Sequence, residues 1–445
     1  MSSVAIASRR FPYALYYVAA ASCGVLIAAI FGSDTSSTFL RLAFVGALLT
    51  GVAGFVYLPL GFGGVVLLGP LGPGLATGAG LGLAVAILVS EGREHERPGR
   101  SVVPYVCVFA LVVLVSWVAN GLPRDSISGS LTPLAARIAF VLVVWRWGRS
   151  VETRTMIVKA VIVSTVIAGS YGLLQSLDVL PTTSETWLRP GLDVARVSGP
   201  EGDPNYYALN LAIGCGFAIA ALRHRQAVAM SLAALALAVF GIAASLSRTG
   251  VLAVAAAILM TAAVDRRKLL AYIGLAVLGC ALVVQVFGAS LGVRFAELGQ
   301  SSVGTSTGQR QLLWHGAFEL AASHPLVGIG PDQVRNHIAA ISSAGLRVPQ
   351  SAHNTPLDIA ADLGVPGLIA WLALVAASVS RTRRFRGHNG IDAAARQAAL
   401  AGLAAYSAGC LFVTATLSAP FWTTIALVAT QPGLISTSRA RDGDS

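Results

Sequence analysis

The sequence predicts an all-α integral membrane protein with 12 to 14 transmembrane helices and a large helical loop on the outer side. Three observations predict it. Charged residues make up only 11% of the 445-residue chain, under half of the roughly 25% usual in a soluble domain, and the mean hydropathy is +0.72. The apolar residues are gathered into runs of about 20, the length that crosses a hydrocarbon core of ~30 Å. The basic residues cluster between those runs. A soluble enzyme, a disordered chain and a disulfide scaffold are excluded by the same observations.

In order, the apolar stretches are 12–31, 39–60, 61–90, 101–120, 131–148, 154–176, 205–222, 227–247, 249–264, 269–292, 355–380, 392–417 and 420–436. Gly69-Pro70-Leu71-Gly72-Pro73-Gly74 breaks the third of these, so it forms one broken helix or two short ones. No cleavable leader is expected, because the first run starts near Phe11 and continues into further spans. The chain reads as a single polytopic domain over 1–445, with a tail at 437–445.

The net charge of +11 records topology. Lys and Arg accumulate in cytoplasmic loops, so the side richer in them is cytoplasmic. One side carries 19 of them, from Arg9 and Arg10 through Arg149 to Lys159 and Arg381 to Arg386 to Arg439 and Arg441. The other carries 8, spread over longer loops: Arg124, Arg189, Arg196, Arg248, Arg294, Arg310, Arg335 and Arg347. Both termini are therefore expected in the cytoplasm. The outer side then holds two substantial loops, 177–204 and 293–354. No nucleic-acid partner is implied by this charge.

The larger loop has structure of its own. Gln309 to Ala322 predicts an amphipathic helix with Leu313, Ala317, Leu320 and Ala321 on one face. After a Gly328–Gly330 turn, Pro331 opens a second short helix whose apolar face is Val334, Ile338 and Ile341. The pair serves either as a cap packed on the bundle or as a lid over a site.

The five cysteines all lie in apolar runs without CxxC spacing and read as small buried hydrophobes. The acids Asp265, Glu152, Asp358 and Asp362 fall at span ends or in loops, which disfavours ion-coupled transport. The D-x-D string, Asp442-Gly443-Asp444, sits in the tail, and HExxH, GxSxG and Walker patterns are absent, so neither a metal nor another cofactor is expected.

Three outer segments each lead into a helix. In Arg196-Val-Ser-Gly-Pro-Glu-Gly-Asp203-Pro204-Asn205, Asp203 is the expected N-cap with Pro204 first in the helix. Thr307 caps the helix that holds Arg310. In Ser351-Ala-His353-Asn354-Thr355-Pro356-Leu-Asp358, Thr355 as N-cap and Asp358 at N3 form an acidic capping box. Helix N-termini offer free N–H groups and positive dipole ends, and arginine adds a planar fork that matches phosphate. Such a set would hold a diphosphate. Taken singly, each arginine reads as readily as a snorkelling side chain or a partner of Glu201 or Asp203. Arg248, in Ser247-Arg248-Thr-Gly250, reaches the same place or, the favoured reading, closes carbonyls of the preceding helix. His224 and His388 lie among basic residues and read as solvated.

Arg196…Gly199…Pro204-Asn205, Ser247-Arg248-Thr-Gly250, Arg310…Trp314, His324-Pro-Leu-Val-Gly-Ile-Gly330 and His353-Asn354…Leu363-Gly-Val-Pro-Gly367 occur in that order. Together they resemble the O-antigen ligase and O-antigen polymerase superfamily of bacterial membrane proteins over roughly 160–380. The resemblance implies a fold related to the C-type membrane glycosyltransferases and a location in the bacterial inner (plasma) membrane. It implies a polyprenyl-diphosphate-linked glycan donor, a glycan, lipid or envelope acceptor, and metal-independent inverting transfer. Carried over by motif, His353 is the base, Arg196 and Arg310 bind and neutralise the departing diphosphate, and Arg248, Asn354 and Asn205 contribute to substrate binding. The capped His-Asn helix and its long preceding loop favour a ligase over a polymerase. The rival of another class is a carrier or scaffold for lipid-linked glycans. A carrier should show inverted repeats and broken helices, and the sequence offers a break only within 61–90.

Overall fold

The computed structural model describes residues 101–181, 196–264, 306–341, 350–385 and 390–431, and its regular elements there are helices. The expectations for the spans before residue 101, the Gly-Pro break at 69–74, the 269–292 span, His388 and the tail lie outside the described residues, as do parts of both outer loops. The helices are α1 (Val103–Ala119), α2 (Thr132–Trp147), α3 (Val151–Ser176), α4 (Pro204–Arg223), α5 (Val228–Ala244) and α6 (Arg248–Val264). They continue with α7 (Ser306–Ser323), α8 (Val334–Ile341), α9 (Thr355–Arg384), α10 (Gly390–Gly409) and α11 (Ala419–Ala429). A π-helical turn, Ile127–Leu131, leads into α2. Four helices, α2 with that turn, α3, α4 and α9, are long and apolar enough to cross a membrane, and α1, α5, α6 and α11 are shorter apolar helices. The protein is an all-α membrane protein.

α4 is the axis of the bundle. Every residue from Tyr207 to Ala221 is buried, and the helix packs against α3, α5, α6 and α10. Close approach needs small side chains, since apolar burial drives no association between helices within lipid. The α10 face supplies them as Ala394, Ala398, Ala401, Gly402 and Ala405. A Cβ at Gly216 of α4 would press on Ala401. The periphery is apolar too: Val108, Leu111, Leu114, Val115 and Val118 of α1 are all exposed, as a lipid-facing surface requires. Cys107 lies on that exposed face, so the expectation of uniformly buried cysteines holds for Cys215 and Cys410 but not for it.

At one end of the bundle arginines bind helix-terminal carbonyls. Buried Arg154 donates to Asp392 from Nε and Nη2, each at 2.8 Å, and from Nη1 to the carbonyls of Arg149 and Thr430. Arg381 reaches the carbonyls of Val428 and Gln431, and Arg396 those of Thr382 and Arg383. A cation at a helix C-terminus satisfies orphan carbonyls and complements the dipole. His224, read as solvated, is partly buried here against Gln397 at 3.2 Å.

The opposite end holds the long loop's helices. α9 is two helices joined at Gly364, whose φ of 71° and ψ of −177° are open essentially to glycine alone. The sequence reading placed no break here, although Gly364-Val-Pro366-Gly carries it: Pro366 has no N–H to return to the preceding turn. The freed carbonyl of Ala361 accepts from Ile329 N–H at 3.0 Å. That of Asp362 accepts from Gly330 N–H at 3.0 Å and from the Ser116 hydroxyl at 2.9 Å. In return Val365 N–H donates to the Pro325 carbonyl at 2.8 Å. Leu313, Ala317 and Leu320 of α7 and Val334 and Ile338 of α8 form a second small core with Ala352 and Ala361. α8 opens at Val334, three residues after Pro331.

A Gly364→Ala substitution forces a Cβ into the left-handed region and against the Pro325 and Leu326 carbonyls. It is expected to destabilise the protein by about 1–3 kcal/mol. A lowered melting midpoint of the detergent-solubilised protein, with faster proteolysis between residues 324 and 334, is the measurement that checks it.

Candidate functional site

Five helices, α2, α4, α6, α9 and α11, begin at the end where the loop docks. At α4, α9 and α11 the N-terminal N–H groups are met by side chains. Asp203 accepts from the N–H of Asn205 at 2.7 Å and of Tyr206 at 2.9 Å, as its N-cap position predicts. Ser418 accepts from Phe421 N–H at 3.3 Å. At α9 the cap is Asn354, which accepts from Leu357 N–H at 3.0 Å, one residue earlier than the expected Thr355.

The shift has a physical reason. Thr355 is occupied elsewhere: its hydroxyl donates to the Val413 carbonyl at 2.7 Å and accepts from Ala415 N–H at 2.9 Å. Asp358 is consequently the fourth residue of the helix. Its carboxylate still reaches back, to Ala352 N–H at 2.9 Å, and it also accepts from the Thr414 hydroxyl. Asn354 Nδ2 adds a bond to the Leu411 carbonyl at 3.1 Å, and Thr355 N–H one to Cys410 at 2.8 Å. Residues 410–417, expected as the end of the 392–417 span, are irregular because their backbone groups serve this turn.

His353 sits between the pinned residues Ala352 and Asn354 with φ at +51°, a conformation that costs a non-glycine residue roughly 1 kcal/mol. The clamp on both sides holds it there. Its imidazole makes no hydrogen bond among the described residues and forms part of the wall of a cavity of about 540 Å³. That volume lies within the roughly 300–1,000 Å³ of small-molecule sites. Its lining includes apolar Phe109, Val113, Leu134 and Leu363 together with charged Arg137, Glu201, Asp203, Asp332, Arg335, Asp358 and Asp362. The Pro331–Arg335 stretch also lines it, so the loop's helices are at once a packed cap and the roof of the cavity.

Asp362 ties roof to wall. Its carboxylate accepts from the N–H groups of Asp332, Gln333 and Val334 at 2.9–3.0 Å, capping α8 from α9. Ser126 donates to the Pro331 carbonyl at 2.5 Å, and Gln333 Nε2 to Ser126 at 3.1 Å.

The other expected residues are distributed around this cavity. Arg310, in the second turn of α7, lies close enough to His353 for its charge to act on the ring. Arg196 is buried behind the cavity wall, where its Nε donates to the Ser245 carbonyl at 2.8 Å and Nη2 to Asn205 Oδ1 at 3.3 Å. The same Asn205 oxygen accepts from the Ser247 hydroxyl at 2.9 Å. Arg248 is the first residue of α6, beside Ser247, and does not form part of the cavity wall. Arg196, Asn205 and Ser247 thus form one network under the N-terminus of α4, while His353 alone of the six faces the cavity.

Arg137, Glu201 and Asp362 escaped the sequence reading as site residues. Arg137 was legible as a charge inside the 131–148 apolar stretch. Asp362 falls four residues after Asp358, on the same helical face.

Desolvation, the largest influence on His353, lowers its pKa. Arg310 adds to this and Asp203 opposes it, so burial rather than the expected arginines chiefly keeps the ring neutral. Burial raises Asp332, partly offset by Arg335. It lifts Glu201 to about 7, opposed by the Asn210 amide at 3.0 Å.

Residues 233–372, about a third of the chain, match the family model described as O-antigen ligase. That match supports the resemblance to the O-antigen ligase superfamily over this stretch. The matched stretch contains Arg248, Arg310, His353 and the α9 break, and leaves out Arg137, Arg196, Glu201 and Asn205. No curated protein matches the chain.

Glu201 gives the protein a testable pH dependence. Its folded pKa, about 7, exceeds the ordinary 4.5, so between those values the native state holds a proton that the unfolded chain has released. Stability therefore falls as pH rises through that window. Glu201→Gln removes the effect and keeps an oxygen for Asn210. Melting curves from pH 4.5 to 8 are expected to show the variant gaining on wild type by up to about 3 kcal/mol, with no further gain above pH 7.

Proposed function

We propose that the chain is an inverting, metal-independent glycosyltransferase that moves a glycan from a polyprenyl-diphosphate carrier to an acceptor hydroxyl at the outer face of the bacterial plasma membrane. The observation that carries the reading is His353: a neutral imidazole without a protein hydrogen bond among the described residues, clamped in a left-handed turn at a cavity wall, within electrostatic reach of Arg310 and Asp203. That is the condition of a general base, which needs a free nitrogen and a pKa at or below the working pH.

In the proposed step His353 takes the acceptor hydroxyl proton as the oxygen bonds to the anomeric carbon. The bond from that carbon to the diphosphate oxygen breaks, and the diphosphate leaves with the electron pair. Attack from the face opposite the leaving group inverts the configuration. Arg310 neutralises the departing charge, which in a low-dielectric site supplies the larger share of rate acceleration. Asp203 favours the imidazolium that forms. Arg196 acts on the same helix N-terminus by holding Asn205, and Asn354 holds the neighbouring backbone. A ligase transfers to a different envelope component, a polymerase to a second lipid-linked repeat, and the product distinguishes them.

The test is release of free polyprenyl diphosphate from a lipid-linked glycan in proteoliposomes containing EDTA. His353→Ala is expected to lower turnover about 10²–10⁴-fold while donor binding persists. Unchanged turnover would remove His353 as base, and no release from a validated donor and acceptor would favour a carrier or scaffold. The pH profile carries a separate expectation. With the His353 pKa below the ordinary 6.5, the acid limb of kcat/KM should fall below that value, and wild-type activity should be near its plateau at pH 7.

A further inference from the structure

Every carboxylate of the cavity has a protein partner. Asp203 holds the N–H groups of Asn205 and Tyr206, Asp358 that of Ala352, and Asp362 three at the start of α8. Glu201 holds the Asn210 amide, and Asp332 pairs with Arg335 at 2.9 Å. Arg137 on α2 is different. Its Nε donates to the Leu417 carbonyl at 2.9 Å, which fixes the plane of the guanidinium. Its Nη1 and Nη2 donate to nothing among the described residues, and no carboxylate pairs with it there.

An arginine stays charged throughout the physiological range, and a charge drawn partly out of water favours a counter-ion. Arg137 lies five residues into α2, about 8 Å along the helix axis from its start. Helices α4, α9 and α11 all start at this end, and Leu417, which holds the guanidinium, immediately precedes the cap of α11. The cavity lining also includes the apolar side chains of Phe109, Val113, Leu134 and Leu363. An open fork for an anion thus faces a space that also has room for hydrocarbon.

We propose that Arg137 is a second phosphate-binding residue of the site, taking the prenyl-side phosphate of the lipid-linked diphosphate while the apolar side chains of the cavity lining receive the first prenyl units. The inference rests on the transferase reading, with Arg310 beside His353 meeting the sugar-side phosphate. Two outward N–H groups in one plane suit a bidentate phosphate contact.

The experiment uses the full chain in nanodiscs of zwitterionic lipid, with wild type, Arg137→Gln and Arg137→Lys. The readout is the rise in each protein's own melting midpoint on titration with polyprenyl diphosphate, with polyprenyl monophosphate and phosphatidylglycerol as separate arms. Wild type is expected to bind the diphosphate, Arg137→Gln at least about tenfold more weakly, and Arg137→Lys in between, since lysine keeps the charge and loses the fork. Equal affinity of wild type and Arg137→Gln overturns the proposal. Should Arg137→Gln fail to fold, Arg137→Lys binding as tightly as wild type overturns it equally. Phosphatidylglycerol matching the diphosphate in wild type overturns it in favour of a bilayer-lipid anchor. Wild type that binds no polyprenyl diphosphate overturns both this inference and the transferase reading, whereas binding that persists in Arg137→Gln with transfer intact removes the inference alone.

Discussion

A helix broken inside a membrane leaves backbone groups that lipid cannot satisfy, each costing several kcal/mol if left bare. In α9 the break at Gly364 frees the carbonyls of Ala361 and Asp362, and the turn at 324–330 fills both with N–H groups while lending the Pro325 carbonyl to Val365. The docking of the outer loop is therefore obligatory for α9. Once the turn is seated, Asp362 caps α8 and the small core of α7, α8 and the start of α9 closes. The cavity and its roof follow from that one repair.

The repair also isolates the first half of α9 as a separate unit. Residues 355–363 are held at their start by the 410–415 segment and at their end by the 324–330 turn, so His353 projects from a support fixed at two points. Backbone strain at His353 is sustained by bonds on either side of it, where a looser turn would relax to negative φ. In the proposed role of base, a side chain fixed this way would need little reorganisation at the moment of reaction, which is where much enzymatic acceleration arises.

Charge is distributed by the same logic. At the end rich in helix C-termini, Arg154, Arg381 and Arg396 close carbonyls. At the cavity end, Asp203, Asn354 and Ser418 close N–H groups. The arginines that the sequence separates into two sides thus divide by task as well. Arg196 illustrates how the division misleads: it is on the cavity end, yet its bonds to Ser245 and Asn205 make it a strut between helices.

Span positions, the capping of α4 by Asp203 and the two loop helices were legible because each rests on local periodicity or a short cap pattern. The α9 break was legible in principle, since Gly-Val-Pro-Gly states it, but uninterrupted hydropathy across 355–380 concealed it. The site was legible in part. His353 carries a motif, and its turn geometry depends on Thr355 preferring residues 413 and 415, some 60 positions away, over its own helix. Arg137 carries no motif at all. An arginine in an apolar stretch reads the same whether it snorkels, pairs or waits for a ligand, and what separates these is the arrangement of five carboxylates from three other segments. Each of them has a partner within the protein other than the half-buried Arg137, and the proposed diphosphate is what would complete that guanidinium's fork.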